Sequence, residues 1–117
     1  MPFIRKSILA VTLTLLALSP AFGHAHLSKS APAAGATVSA PSELMLVFTE
    51  PLEPAFSTLE LTDAAGKPVQ AAKPQIKDNV MRLRVNALPA GRYTVNWRVL
   101  SVDTHKTNGT FNFTVKP

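Results

Sequence analysis

From residue 43 onward, apolar and polar positions alternate with a period of two, the pattern of half-buried strands whose successive side chains point to opposite faces. Glu43 to Thr49 puts Leu44, Leu46 and Phe48 on one parity, and Phe56 to Thr62 alternates again. Val80 to Val85 sets Met81, Leu83 and Val85 against Arg82 and Arg84. The longest run, Arg92 to Leu100, places Tyr93, Val95, Trp97 and Val99 together, and Gly109 to Val115 does the same with Phe111, Phe113 and Val115. Breakers separate these runs: Pro32-Ala33-Ala34-Gly35, Ala40-Pro41-Ser42, Glu50-Pro51-Leu52-Glu53-Pro54, Asp63 to Pro68, and Leu88-Pro89-Ala90-Gly91. Proline cannot donate to a strand ladder, and glycine supplies turn conformations. About six or seven short strands at roughly 8–12-residue spacing, with no helical period, predict an all-β single domain, a small Greek-key sandwich or barrel.

The first residues follow a different pattern. Arg5 and Lys6 precede an almost wholly apolar run from Ile8 to Leu18, and Pro20-Ala21-Phe22-Gly23 follows it with a helix breaker and small residues. That is the layout of a secretory signal peptide cleaved after Gly23, and the apolar run is too short for an ordinary membrane span. The alternative is an uncleaved anchor or a buried helix. Cleavage divides the chain into a signal peptide, residues 1–23, and one domain, residues 24–117, that begins His24-Ala25-His26. It also removes Arg5 and Lys6 from the 12 basic residues, which stand against 7 acidic ones. The remaining cations are scattered along the sequence without aromatic interleaving, which argues against a nucleic-acid groove. There is no cysteine, so the domain has neither disulfide staples nor thiolate ligands. Met45 and Met81 fall inside apolar runs and are expected to fill the core, which argues against a methionine-lined Cu(I) site.

Candidate chemistry centres on the 3 histidines. Two of them, His24 and His26, lie at the end that cleavage would create. The third, His105, follows the longest strand and is two residues from Asp103. In extended backbone, positions i and i+2 face the same way, so Asp103 and His105 are expected to address one ligand together. An N-terminal histidine can grip a cation through its α-amine and Nδ1 in one chelate ring. The amine must lose its proton to bind, so affinity falls with pH. With a His105 nitrogen and an Asp103 oxygen, the set is nitrogen-rich and tetragonal, which favours Cu(II), one ion per chain. Zn(II), which prefers tetrahedral surroundings, is the competitor. His26 stands as a further ligand, an alternative ligand, or a partner to one. The bland alternatives are a solvated, frayed N-terminus for His24 and His26 and an ordinary turn for Asp103 and Thr104.

The order of these motifs resembles one family. His24-Ala25-His26-Leu27, Ser30-Ala31-Pro32-Ala33-Ala34-Gly35, Phe48-Thr49-Glu50, Gly91 to Val99, Ser101-Val102-Asp103-Thr104-His105, Gly109 and Phe113-Thr114-Val115 together are similar to the CopC family of periplasmic copper-resistance proteins. The resemblance implies a small cupredoxin-like or immunoglobulin-like β-barrel in the periplasm that binds Cu(II). It places the N-terminal ligand on His24, the carboxylate on Asp103 and the second imidazole on His105, with His26 as an additional ligand because some members begin His-x-His. It also implies a membrane partner, an inner-membrane copper transporter of the CopD type, and no catalysis. Other members carry a methionine-rich Cu(I) loop. Here the corresponding stretch, Asp63 through Asn79, has neither methionine nor histidine, a departure from the two-site pattern.

Two other function classes remain at this point. A copper monooxygenase that attacks polysaccharides also holds its metal with an N-terminal histidine on a β-sandwich. Against it, Tyr93 and Trp97 are expected in the core, and a carboxylate ligand favours Cu(II) over the reduced ion that oxygen chemistry needs. The other class is a metal-independent sandwich that acts as an interaction module.

Overall fold

A computed structural model describes residues 25–69 and 71–117; the signal-peptide reading and His24 lie outside them. The described residues form eight strands: β1 (Leu27–Ala31), β2 (Thr37–Val38), β3 (Glu43–Phe48), β4 (Thr58–Thr62), β5 (Gln75–Lys77), β6 (Val80–Arg84), β7 (Gly91–Leu100) and β8 (Lys106–Val115). They make two four-stranded sheets, ordered β1-β3-β6-β5 and β2-β8-β7-β4. Pairing is antiparallel except where the two-residue β2 runs parallel to β8. The chain passes repeatedly from one sheet to the other, and the result is a single all-β domain of Greek-key type.

The expected core faces are the observed ones. Leu44, Leu46, Phe48, Met81 and Leu83 point inward from the first sheet; Tyr93, Val95, Trp97, Val99, Phe111, Phe113 and Val115 point inward from the second. Phe48 and Trp97 meet edge to face across the sheets, with ring centroids 5.1 Å apart at 74°. Tyr93 stacks on its cross-strand neighbour Phe113 at 5.5 Å. Its hydroxyl donates a 2.6 Å hydrogen bond to the Pro89 carbonyl, closing the corner before β7 in the manner of a tyrosine corner. Burial and, secondarily, the charge of Asp63 raise the Tyr93 pKa, so the hydroxyl keeps the proton it donates.

Several boundaries differ from the sequence expectation. Phe56 is not in β4 but in a 3-10 turn, Pro54–Phe56, where Pro54 sets the turn, and the residue is 69% exposed. β1, β2 and β5 are strands that no alternation marked, each held by pairing to a longer neighbour. Met45 is half-buried on the outward parity of β3 instead of filling the core, whereas Met81 is fully buried.

β8 begins at Lys106, three positions before the expected Gly109, because its ladder with β7 continues unbroken from Gly91↔Val115 to Leu100↔Lys106. Gly109 therefore sits inside a strand, directly opposite Trp97. A Cβ added there would run into the Trp97 indole, so the indole covers the glycine, the arrangement by which aromatic residues stabilise strand glycines. Gly109→Ala is expected to destabilise the domain by about 1–3 kcal/mol, the usual range for overpacking. That corresponds to a fall in Tm of several degrees, accompanied by a change in the emission of the single tryptophan.

Candidate metal centre

The β7–β8 hairpin closes through residues 101–105, and this loop carries two of the sequence candidates. Ser101, which is fully buried, organises it. Its N–H donates to the His105 carbonyl at 3.0 Å, and its carbonyl accepts the Thr104 N–H at 2.9 Å. Its hydroxyl accepts the His105 N–H at 3.2 Å and donates to Asp103 Oδ1. The loop is braced from outside as well. Val102 N–H donates to Pro51 O at 3.1 Å, Glu53 N–H donates to Leu100 O at 2.8 Å, and Leu52 bridges to Ser101.

Asp103 and His105 do come together, but not by the route the sequence suggested. The chain is not extended there: β7 ends at Leu100, and Thr104 takes a left-handed φ of +72°. The same-side relation therefore comes from a turn, which brings His105 Nδ1 to 3.3 Å from Asp103 Oδ2. The turn reading of Asp103 and Thr104 and the shared-ligand reading are thus compatible. The Asp103 carboxylate is tied to the Ser101 hydroxyl, and Thr104 Oγ1 donates to the Asp103 carbonyl at 2.6 Å. Ser101 is the residue whose role sequence reasoning missed. Its position two before the aspartate, at the end of a core-facing run, was the available signal.

The segment that leads into β1 is held near this loop. Thr107 Oγ1 donates to the Ala25 carbonyl at 2.7 Å, and Ala25 is fully buried. His26 is exposed; its N–H donates to Thr49 Oγ1 and its carbonyl accepts the Thr49 N–H, both at 2.9 Å. The chain entering at residue 25 is thereby fixed two positions along β8 from His105. Among the described residues, no three His, Cys, Asp or Glu side chains are placed to hold a metal ion together. The pair Asp103 and His105 is what the described chain presents. It offers one carboxylate oxygen donor and one imidazole, a set that suits a borderline divalent cation such as Cu(II) or Zn(II).

The CopC domain family matches residues 27–116. This chain belongs to the CopC family. Protein YobA of Escherichia coli is 37% identical over 113 residues, covering 92% of this chain and 91% of YobA. An Escherichia coli copper resistance protein C is 34% identical over 129 residues, covering 99% and 100% of the two chains. Among solved structures, PcoC, a methionine-rich copper resistance protein from Escherichia coli, superposes with a TM-score of 0.72 at 38% identity. The match covers 80% of this chain and all of PcoC. The CopC fold thus accounts for both sheets, and the Asp103–His105 turn lies inside the matched region.

The charge of Asp103 follows from its contacts. The Ser101 hydrogen bond holds its pKa below the ordinary aspartate value; desolvation opposes this, and the His105 imidazole adds to the lowering. A depressed carboxyl pKa contributes stability that is present above the unfolded value and is lost as pH falls through the folded one. The effect therefore belongs to the acid range below about pH 4. Ser101→Ala is expected to move the Asp103 carboxyl pKa upward, toward the ordinary 3.8, measured by carboxyl carbon NMR titration. In that variant the pH-dependent contribution shrinks, because the folded pKa approaches the unfolded one while the upper limit of the window stays where it was.

Proposed function

We propose that this chain is an exported copper-binding protein that holds one Cu(II) at the Asp103–His105 turn. In this reading it sequesters the ion or hands it to an inner-membrane copper transporter of the CopD type in the periplasm. The observation that carries the reading is the juxtaposition of Asp103 and His105 by buried Ser101, beside the point where Thr107 fixes Ala25. Residue 24 is one peptide step of about 3.8 Å from Ala25, which supports His24 as the third contributor, through its α-amine and imidazole once the signal peptide is cleaved after Gly23. His26, carried on the Thr49 pairing, is the additional ligand. The ordering needed on binding then falls on a few N-terminal residues, because the turn is already formed.

Cu(II) is preferred to Cu(I). The carboxylate and nitrogen donors are those Cu(II) favours, and thioether ligands are what the reduced ion would need. The methionine inventory supports this: Met81 is buried, Met45 lies on the outer face of the first sheet, and none occurs between Asp63 and Asn79. A role without catalysis is preferred to a monooxygenase because Tyr93 and Trp97, at 4% and 7% exposure, are core residues and offer a polysaccharide no aromatic platform.

Two experiments test this. N-terminal sequencing of the protein exported by a bacterial host is expected to begin at His24. Cu(II) titration with EPR is then expected to give one tight, nitrogen-rich site in that protein. The same chain with one residue added before His24 should lose most of the affinity, about tenfold or more, because its α-amine is displaced while every side chain remains. Asp103→Asn and His105→Ala should weaken binding by similar or larger factors. Equal, weak binding by all four proteins would favour the metal-independent interaction module.

A further inference from the structure

Five of the cations that are scattered in the sequence are gathered on one face by the fold. On the outer face of the first sheet, strand register places Lys29, Val47, Val80 and Lys77 side by side across β1, β3, β6 and β5. The next row is Ala31, Met45, Arg82 and Gln75, and the third brings Glu43 beside Arg84. Lys73 lines a cleft with Arg82 and Arg84 at the far end. These three rows contain one carboxylate, Glu43, already paired with Arg82 at 2.7 Å; Asp78 lies at the margin, on the turn that follows Lys77. Lys29, Lys73, Lys77, Arg82 and Arg84 are exposed, whereas Met45, Val47 and Val80 are half-buried between them. The face is four strands wide, with Lys29 on the β1 edge, Lys73 and Lys77 at the β5 edge, Arg82 and Arg84 on β6 between them, and Met45, Val47 and Val80 among these cations.

We propose that this face is a docking surface for an anionic phospholipid membrane. Lys and Arg near a lipid surface each add to binding, and the attraction is screened over a Debye length. Short apolar side chains between them can settle at the headgroup level without a deep pocket. Cations spread across the sheet from the β1 edge through β6 to the β5 edge fit a laterally continuous array of phosphates better than a single acidic segment, which would engage one strip of them. The row Lys29, Val47, Val80, Lys77 is also the one nearest the end of the barrel where His26 pairs with Thr49, so docking would hold the metal-site end beside the membrane. The inference does not depend on copper being the bound ion.

Vesicle co-flotation of the processed chain tests it. Binding is expected to vesicles of about 30 mol % phosphatidylglycerol in phosphatidylcholine, not to phosphatidylcholine alone, and to fall steeply between about 0.02 M and 0.3 M salt. The triple variant Lys29→Gln, Lys77→Gln, Arg84→Gln leaves the Arg82–Glu43 pair intact and alters exposed positions only. It should lose about tenfold or more in partitioning, with an unchanged circular dichroism spectrum. The control triple Lys67→Gln, Arg92→Gln, Arg98→Gln removes the same charge elsewhere and should lose less than about twofold. Equal losses in the two triples would reduce the effect to net charge and overturn the assignment. So would an absence of binding to the anionic vesicles, or stronger binding to soluble poly-glutamate than to them. Copper titration of the same variants reads the metal site separately.

Discussion

The register between β7 and β8 is the constraint on which the rest depends. In a strand pair, a slip of one residue turns every side chain to the opposite face, and this ladder supplies Tyr93, Val95, Trp97, Val99, Phe111, Phe113 and Val115 to the core. The same ladder sets where the hairpin loop begins and ends. What fixes the register is a steric match at its centre: Trp97 needs a partner with no side chain, and Gly109 is that partner. The indole then reaches Phe48 on the opposite sheet, so one cross-strand pair ties the two layers together and determines which five residues form the loop at 101–105.

That loop is a consequence of the ladder and also the feature with chemical potential. Ser101 is the last residue shielded by the core and the first to turn its polar groups on the loop. Because it is buried, its hydroxyl and backbone groups must be satisfied locally. They are satisfied by Asp103, Thr104 and His105, which is why two side chains suited to a cation are held in one place. Burial of a serine thereby becomes orientation of a carboxylate and an imidazole. The N-terminal segment is brought to the same end of the domain by the other sheet, where β1 pairs with β3, and is held there by Thr107 of β8, which donates to the Ala25 carbonyl.

How far the sequence could be read follows from what each strand buries. β3, β6, β7 and β8 each present a strongly apolar face to the core, and their period-two patterns marked them and their inward residues. β1, β2 and β5 bury little: Leu-Ser-Lys-Ser-Ala, Thr-Val and Gln-Ile-Lys carry too few apolar positions to show a period, and they are strands because neighbouring strands offer them hydrogen-bonding edges. The start of β8 was hidden for the same reason, since Lys106, Thr107 and Asn108 look like loop while their backbone groups continue the ladder. At the site, residue types made Asp103 and His105 visible. Their geometry was not legible, because local sequence pattern does not distinguish an extended i, i+2 relation from a tight turn in which Thr104 adopts a positive φ.

Thr104 shows how that turn keeps its shape. A β-branched residue at φ +72° is in a conformation that glycine adopts far more easily, and such placements cost on the order of 1–3 kcal/mol when the surroundings enforce them. Here the enforcement is visible: the Thr104 N–H is held by the Ser101 carbonyl, and its hydroxyl is held by the Asp103 carbonyl. Glycine would relieve the strain but would lose the hydroxyl contact and widen the range of conformations open to the loop. The threonine trades some local stability for a narrower turn, and a narrow turn keeps the Asp103 carboxylate and the His105 ring on the same side. A ligand that needs both groups then meets them already oriented, so its binding does not have to supply the cost of bringing them together.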